Sequence, residues 1–271
     1  MKKIFLALMI MAPVMTLVAQ EQEDETSVIY LGQQQDSASV RQMSLSDADS
    51  AYIQGDYLTA ISIYKNVIEA QGVSATLYMN LGNSYFKLDE IAQAILWYER
   101  AYLLDPSDPD VKFNLELART KTVDKVTPKN QLFFVVWFKK LVAALDLNTW
   151  AILTLTLFLI ATVLLGLSVL TGKVSVRKLS FSFGVIFFVF SVLSFIFAST
   201  QKNNITHRDT AIIVSPSVTV KSTPSESGTD LFIIHEGRKV DILDNSMKEW
   251  VQIRLEDGNT GWVLQKVMEI I

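Results

Sequence analysis

Two long apolar runs dominate the pattern of hydrophobic and polar positions along the chain. Residues 150–170 and residues 179–198 contain no charged side chain. About 20 helical residues, at a rise of about 1.5 Å each, cover the roughly 30 Å hydrocarbon core of a bilayer. The pattern therefore predicts two transmembrane helices, at 149–171 and 179–200, joined by a connector at 172–178. The soluble regions that flank this hairpin must then share one side of the membrane.

A third apolar run lies at the N-terminus and has the features of an export signal. Lys2 and Lys3 precede an apolar stretch at residues 4–18, and Ala19 precedes an acidic stretch. This order predicts a secretory signal peptide at 1–19. An uncleaved anchor is the alternative, because Leu17 is a poor partner for Ala19 at a cleavage site. The polar residues 20–43 have no sustained apolar period, which predicts a disordered linker.

The basic residues around the two spans indicate their orientation. The connector contains Lys173, Arg177 and Lys178, and basic connectors tend to stay in the cytoplasm. Lys139 and Lys202 make the outer flanks basic as well. Because the charges of the connector are the densest, and because the signal peptide sends the preceding segment outward, we expect a cytoplasmic connector and extracytoplasmic soluble regions.

Residues 44–121 contain two stretches that align at an offset of about 34 residues, the length of a tetratricopeptide unit. The second stretch matches the repeat pattern at Tyr78, Leu81, Gly82, Tyr85, Ala94, Tyr98, Ala101 and Pro106. The first stretch is more degenerate and keeps Gly55, Tyr57, Ala60, Ile61 and Tyr64. Gly82 and Ala94 would allow the two helices of a unit to approach closely. The spacing predicts two antiparallel helix pairs.

A capping helix is predicted after the second unit. Asp108 suits the N-cap and Pro109 the first helical position, and the helix would present Val111, Leu115 and Ala118 to the stack. Two units and a cap are near the lower limit for stability, since each unit buries its apolar face only against a neighbour. Self-association or a docked partner could supply the missing neighbour.

Tetratricopeptide arrays bind peptides on the concave face formed by the first helix of each unit. On that face we expect these candidate peptide-binding residues: Asp49, Tyr52, Met79, Asn83, Phe86, Phe113 and Asn114. Arrays that clamp a terminal carboxylate have a lysine at the place of Met79, which argues against such a clamp. For Asn83 and Asn114, peptide binding, local capping and plain solvation remain alternatives.

The segment at 122–148 is predicted to be a linker that ends in an interfacial helix. Between residues 131 and 145, Lys139 and Lys140 stand among aromatic and aliphatic residues in a pattern that suits a helix lying in the membrane interface. The alternative is that this segment lengthens the first membrane helix.

From residue 206 to residue 271 the periodicity changes to that of five or six short strands. Val251, Ile253 and Leu255 alternate with polar residues. The stretch from Asp257 to Val263, which ends in Gly-Trp-Val, resembles the bacterial SH3-like domain. Such domains often bind peptidoglycan or peptides. Trp250 and Trp262 are therefore candidate groove residues, but we favour packing in the core of the barrel, because a small barrel needs its few large side chains inside.

The composition removes most chemical functions from consideration. The chain has no cysteine, two histidines and a net charge of −4, so we expect no disulfide, no metal site, no cofactor and no nucleic acid partner. No poised pair of catalytic groups is evident, and we expect no enzymatic activity. The predicted spans contain no ionisable residue, which argues against a pump or transporter.

The order of signal peptide, tetratricopeptide units, two close spans and terminal SH3-like barrel resembles the E-type Bacteroides aerotolerance (Bat) proteins. The resemblance depends on that order, on Leu81-Gly82-Asn83 and on Gly261-Trp262-Val263. It implies a multidomain fold of helical repeats, a transmembrane hairpin and an all-β barrel, in the bacterial inner membrane with periplasmic soluble domains. It also implies protein partners, namely von Willebrand factor A-type membrane proteins of the same operon. We expect a scaffold in an envelope complex; the alternative is a tether or sensor that binds peptidoglycan.

Overall fold

The computed structural model describes residues 44–124 and 132–271, so the predicted signal peptide (1–19) and disordered linker (20–43) lie outside the described residues. Within these ranges the expected fold class is confirmed: helical repeats are followed by two long apolar helices and by an antiparallel sheet. The helices are α1 Leu45–Ile53, α2 Tyr57–Gln71, α3 Ala75–Lys87, α4 Ile91–Leu104, α5 Pro109–Thr120, α6 Phe133–Val142, α7 Leu147–Leu170 and α8 Val174–Thr206. The strands are β1 Thr210–Ile213, β2 Ser217–Lys221, β3 Asp230–His235, β4 Lys239–Asp244, β5 Trp250–Arg254, β6 Thr260–Leu264 and β7 Met268–Ile270.

Short polar side chains fix where the repeat helices begin. Ser74 accepts a hydrogen bond from the backbone N–H of Leu77 at the start of α3. Asp108 accepts from the backbone N–H groups of Asp110 and Val111, and Pro109 occupies the first position of α5. These bonds satisfy donors that a helix cannot satisfy itself. The predicted N-cap and first residue of the capping helix are confirmed.

Close packing inside the second unit depends on Gly82. A Cβ atom at this position would lie 2.7 Å from the ring of Tyr98, so α3 and α4 can cross at this distance only with glycine. Ala94 and Leu81 are fully buried beside this crossing. The capping helix α5 buries Val111, Leu115 and Ala118, which confirms the predicted face.

The sheet is built from seven strands in the order β3-β2-β6-β5-β4-β1-β7. Our expectation of five or six strands is wrong. The additional strand β7 has only three residues and follows a single 3-10 turn, so its alternation is too short to be read from the sequence. Its pairing with β1 is what makes it a strand. The core of the sheet contains the alternating residues Val251 and Ile253 of β5 together with Val263 of β6.

The sheet packs directly against the last helices of the repeat stack. Ala211 and Ile213 of β1 face the core of the sheet, whereas Ile212 points the other way and joins the buried cluster of α4 and α5. Ile271, which follows β7, joins the same cluster. The barrel therefore covers the apolar surface that the second unit and its capping helix cannot bury by themselves.

A buried carboxylate joins the two modules. Glu99 on α4 is 1% exposed; Lys239 on β4 donates to its Oε2 at 2.7 Å, and Arg119 on α5 donates to its Oε1. Burial opposes ionisation of Glu99, yet the cations of Lys239 and Arg119 hold its pKa below the ordinary value.

Further hydrogen bonds cross the interface between the two modules. Arg100 donates to the backbone carbonyl of Ile270 at 2.6 Å, and Gln93 donates to Glu269 at 2.9 Å. The backbone N–H of His235 donates to Asp124 at 2.8 Å. Burial opposes ionisation of Asp124, but its hydrogen bonds with His235 lower its pKa. Polar contacts of this kind fix the orientation of two packed surfaces more than their affinity.

The two long helices form a hairpin with small residues at its interface. On α8, Ser180, Gly184, Ser191 and Ser194 are buried against α7, and a Cβ atom at Gly184 would lie 2.8 Å from Leu165. The hydroxyl groups of Ser191 and Ser194 donate to backbone carbonyls of α7, each at 3.0 Å. Small residues of this kind let two helix backbones approach in an apolar environment.

The helix α6 is separate from α7, so the alternative in which it lengthens the first membrane helix is wrong. A turn at residues 143–146 separates the two, and Asp146 caps the start of α7. Trp150 and Gln201 donate to the carbonyl of Val142 at the end of α6. The exposed aromatic side chains of α6 include Phe133, which is 85% exposed.

The buried ion pair gives a test of the contact between the modules. We expect Glu99→Gln to lower the free energy of unfolding by about 3 kcal/mol, because Arg119 and Lys239 lose the charge that compensates them. Denaturation of the full-length chain in detergent, followed by tryptophan fluorescence, measures this loss.

Glu116→Gln is the matched control, since Glu116 contacts the same Arg119 at 2.9 Å but its side chain is 71% exposed. Its loss should be about 1 kcal/mol or less. Equal losses for the two variants would contradict a structural role for the buried ion pair.

Candidate functional site

A groove of about 300 Å³ lies between the two helices of the first unit, α1 and α2, and the first helix of the second unit, α3. It is lined by Asp49, Tyr52, Ile53, Tyr64, Asn80 and Asn83. Three of the candidate peptide-binding residues, Asp49, Tyr52 and Asn83, therefore come together there. Met79, Phe86, Phe113 and Asn114 are not among its lining residues.

The same hydrogen-bonded trio occurs twice at an offset of 34 residues, and each trio joins one unit to the helix that follows it. In the first unit, Tyr64 donates to Asp49 Oδ1 at 2.6 Å, and Asn80 approaches the same oxygen at 3.5 Å. In the second unit, Asn83 Oδ1 accepts from the hydroxyl of Tyr98 at 2.7 Å and from Asn114 at 3.0 Å. The side-chain carbonyl of Asn83 thus holds neighbouring helices together.

The two trios differ in charge. Among the described residues that line the groove, Asp49 alone carries a charge, whereas the equivalent position in the second unit is the neutral Asn83. Burial, followed by the hydrogen bond to Asp49, raises the pKa of Tyr64 well above its ordinary value. Tyr64 therefore stays protonated and remains a donor to Asp49. Burial also raises the pKa of Tyr52. The groove therefore combines the carboxylate of Asp49 with the aromatic ring of Tyr52.

The other four candidates lie towards the capping helix. Met79 and Phe86 are partly buried and pack against the core cluster of α4 and α5. Phe113 is 66% exposed and presents an apolar side chain on the capping helix α5. The ammonium group of Lys121 lies 4.7 Å from the ring centroid of Phe86. Met79 is half-buried, and the departure from a carboxylate clamp stays a prediction.

The two tryptophans of the sheet lie outside its core. Val251 and Val263 are buried, and the alternation of β5 and β6 places Trp250 and Trp262 on the opposite, half-buried face. The core packing that we favoured for these two tryptophans is therefore wrong for both. Trp250 lines a shallow pocket of about 350 Å³ together with Ser217, Val218, Thr219, Lys221, Glu226, Leu264 and Val267. Trp262 is not among the residues that line this pocket.

Three residues of the repeat groove, Ile53, Tyr64 and Asn80, are not among the candidates that the sequence predicts. In the sequence, Tyr64 stands out only as a residue of the repeat pattern. A signal was present, because Tyr64 and Asn80 stand 34 residues before Tyr98 and Asn114. The 34-residue offset predicts both residues when it is extended from helix packing to side-chain contacts.

Residues 44–124 and 132–271 contain no group of three or more histidine, cysteine, aspartate or glutamate side chains placed to hold a metal ion. His235, one of the two histidines, makes a 2.8 Å contact with Asp124 in the interface between the modules.

Comparison with known families identifies both soluble modules. A family model for the tetratricopeptide repeat matches residues 75–108, and a family model for the bacterial SH3 domain matches residues 216–269. A search of curated proteins gave no match to this chain. The chain therefore carries a tetratricopeptide repeat and a bacterial SH3 domain, two kinds of module that typically bind rather than catalyse.

Proposed function

We propose that this chain is a membrane-anchored scaffold that gathers protein partners in a bacterial envelope complex. The observation that carries this proposal is the packing of two interaction modules into one body, beside two helices that are long and apolar enough to cross a membrane. A body of this kind presents two recognition surfaces in a fixed relation to each other and to the bilayer.

The surface of the helical hairpin supports membrane insertion. Its small residues face inward, whereas large apolar side chains such as Leu155, Phe190 and Phe195 are more than half exposed. An apolar surface of this extent is unfavourable in water. A bilayer provides the matching environment, since both helices satisfy their own backbone hydrogen bonds.

The contact between the modules supports the hairpin topology. The repeat stack precedes α7 and the barrel follows α8, and their packing requires both to be in the same compartment. The basic residues Lys173, Arg177 and Lys178 near the turn favour a cytoplasmic turn. We therefore place the two modules in the periplasm and the hairpin in the inner membrane.

The repeat groove is the proposed site for a peptide segment of a partner. Asp49 favours a basic side chain, and the half-buried ring of Tyr52 can pack along its aliphatic stem. The exposed Phe113 on the capping helix suits an apolar residue of the same segment. The resemblance to the Bat proteins implies that this partner is a von Willebrand factor A-type membrane protein.

A cell-wall tether or sensor is the second candidate function. It is supported by the match to bacterial SH3 domains and by the pocket beside Trp250. Sedimentation of the full-length chain with purified cell-wall sacculi distinguishes this function from the scaffold.

Cysteine labelling tests the topology, because the chain has no cysteine of its own. The exposed residues Ser62, Ser175 and Ser227 are each replaced by cysteine in separate variants. In intact spheroplasts, a membrane-impermeant maleimide should label Ser62→Cys and Ser227→Cys but not Ser175→Cys. All three variants should react after lysis. Labelling of Ser175→Cys alone in intact spheroplasts would reverse the proposed orientation.

The charge of the groove gives a test of peptide binding. We expect Asp49→Asn to weaken binding of lysine-containing peptides by about tenfold, because the substitution removes a charge-assisted hydrogen bond. The substituted amide resembles the Asn83 of the second unit, so the fold should be retained. Fluorescence anisotropy with a matched pair of peptides, one containing lysine and the other glutamate, measures the change.

Glu69→Gln is the control, since Glu69 is exposed on α2 and does not line the groove. It should leave binding unchanged. Equal affinity of the unchanged protein for the lysine and glutamate peptides would rule out the proposed role of Asp49.

A further inference from the structure

A cavity of about 210 Å³ lies where the repeat stack meets the hairpin. It is bounded by the end of α4 and the start of the following loop, by α6, and by the part of α8 that follows the apolar run. Leu103, Phe138 and Val142 provide apolar walls, and Lys139, Gln201 and Asn204 provide polar groups. The lining is thus amphipathic and combines elements from before and after α7.

Gln201 gives this cavity a specific chemical requirement. Its side chain is 4% exposed, and its Nε2 donates to the backbone carbonyls of Val142 and Leu145, each at 2.7 Å. These two bonds fix the orientation of the amide, because a flipped amide would place Oε1 against two carbonyl oxygens. Oε1 is buried and has no hydrogen-bond partner among the described residues. Leaving a buried acceptor unpaired costs about 1–3 kcal/mol, so a donor at this point is favourable.

The position of the cavity indicates where that donor comes from. The second apolar run ends at Ala198, and Gln201 and Asn204 follow it on α8 within about 9 Å at a rise of about 1.5 Å per residue. If the hairpin crosses a bilayer, this places the cavity at the depth of the lipid headgroups. Lys139, at the same level, supplies a cation that suits a phosphate group.

We propose that this cavity binds the headgroup of one membrane phospholipid. The phosphate lies near Lys139, a hydroxyl or ammonium group of the headgroup donates to Gln201, and the start of an acyl chain packs on Phe138 and Leu103. The inference rests on the membrane insertion proposed above. A lipid bound there would join the end of the repeat stack to the hairpin and so help to hold both modules close to the membrane surface.

Lipids with different headgroups show which group donates to Gln201. Phosphatidylethanolamine carries an ammonium donor and phosphatidylglycerol carries hydroxyl donors, whereas the choline headgroup of phosphatidylcholine has neither. Native mass spectrometry of the full-length chain in detergent, with each lipid added in turn, measures how much lipid is retained. We expect one molecule of phosphatidylethanolamine or phosphatidylglycerol per chain, and about tenfold less phosphatidylcholine.

Two pairs of neighbouring residues provide matched variants. Ala143 lines the cavity and Ala144 does not, and Lys139 lines it whereas Lys140 does not. We expect Ala143→Leu, which fills the space, and Lys139→Gln, which removes the cation, to reduce retention by about tenfold. Ala144→Leu and Lys140→Gln should retain lipid like the unchanged chain. Because Lys139 is exposed, its replacement keeps the test valid even if Ala143→Leu fails to fold.

Retention of either donor-bearing lipid alone supports the site and identifies the group that binds Gln201. Equal retention of phosphatidylcholine, or undiminished retention by Lys139→Gln, would overturn the proposal in favour of a non-specific lipid shell. Release of the chain from membranes by alkaline carbonate would instead refute membrane insertion, so the two failures can be told apart.

Discussion

The packing of the barrel against the last repeat helices is the constraint on which the rest of this structure depends. A stack of two units and a capping helix has an apolar surface that it cannot bury alone. Ile212 and Ile271 cover that surface, and Glu99 fixes their orientation through Lys239 on the barrel and Arg119 on the cap. The same contact requires that both modules lie on one side of the hairpin, so stability and topology have a common origin.

The hairpin uses a different means of association. The interface between α7 and α8 cannot gain from the hydrophobic effect if lipid surrounds it, because lipid chains are as apolar as leucine. It relies instead on small residues such as Gly184 and on serine hydroxyl groups that donate to backbone carbonyls. Gln201 extends this pattern beyond the apolar run and joins α8 to the end of α6. The membrane part and the soluble part are therefore connected by more than the covalent chain.

Features encoded by neighbouring residues were predictable from the sequence. The cap at Asp108, the buried face of α5 and the two apolar runs depend on residues within a few turns of one another, and the structure contains them as expected. The alternation that placed Val251 and Ile253 in the core also required Trp250 to lie on the other face. The favoured expectation that Trp250 packs in the core overlooked this consequence.

Contacts between distant segments were not predictable. Glu99 and Lys239 are 140 residues apart, and a charged residue in a repeat helix normally indicates a solvated position. The sequence indicates only that Ile212 belongs to a buried strand, although its side chain packs against the repeat stack and not in the core of the sheet. A single sequence contains no periodic signal for such a contact, because each partner contributes only one or two residues to it.

Cross-linking between the modules tests the central claim most directly. Gln93 and Glu269 are joined by a 2.9 Å hydrogen bond across the interface, and the chain has no other cysteine to interfere with a double replacement. In native membranes, a short bismaleimide should join Gln93→Cys and Glu269→Cys within one chain, and denaturant added beforehand should abolish the product. If both cysteines react with a single-headed maleimide but no cross-link forms in the native state, the two modules are not one body.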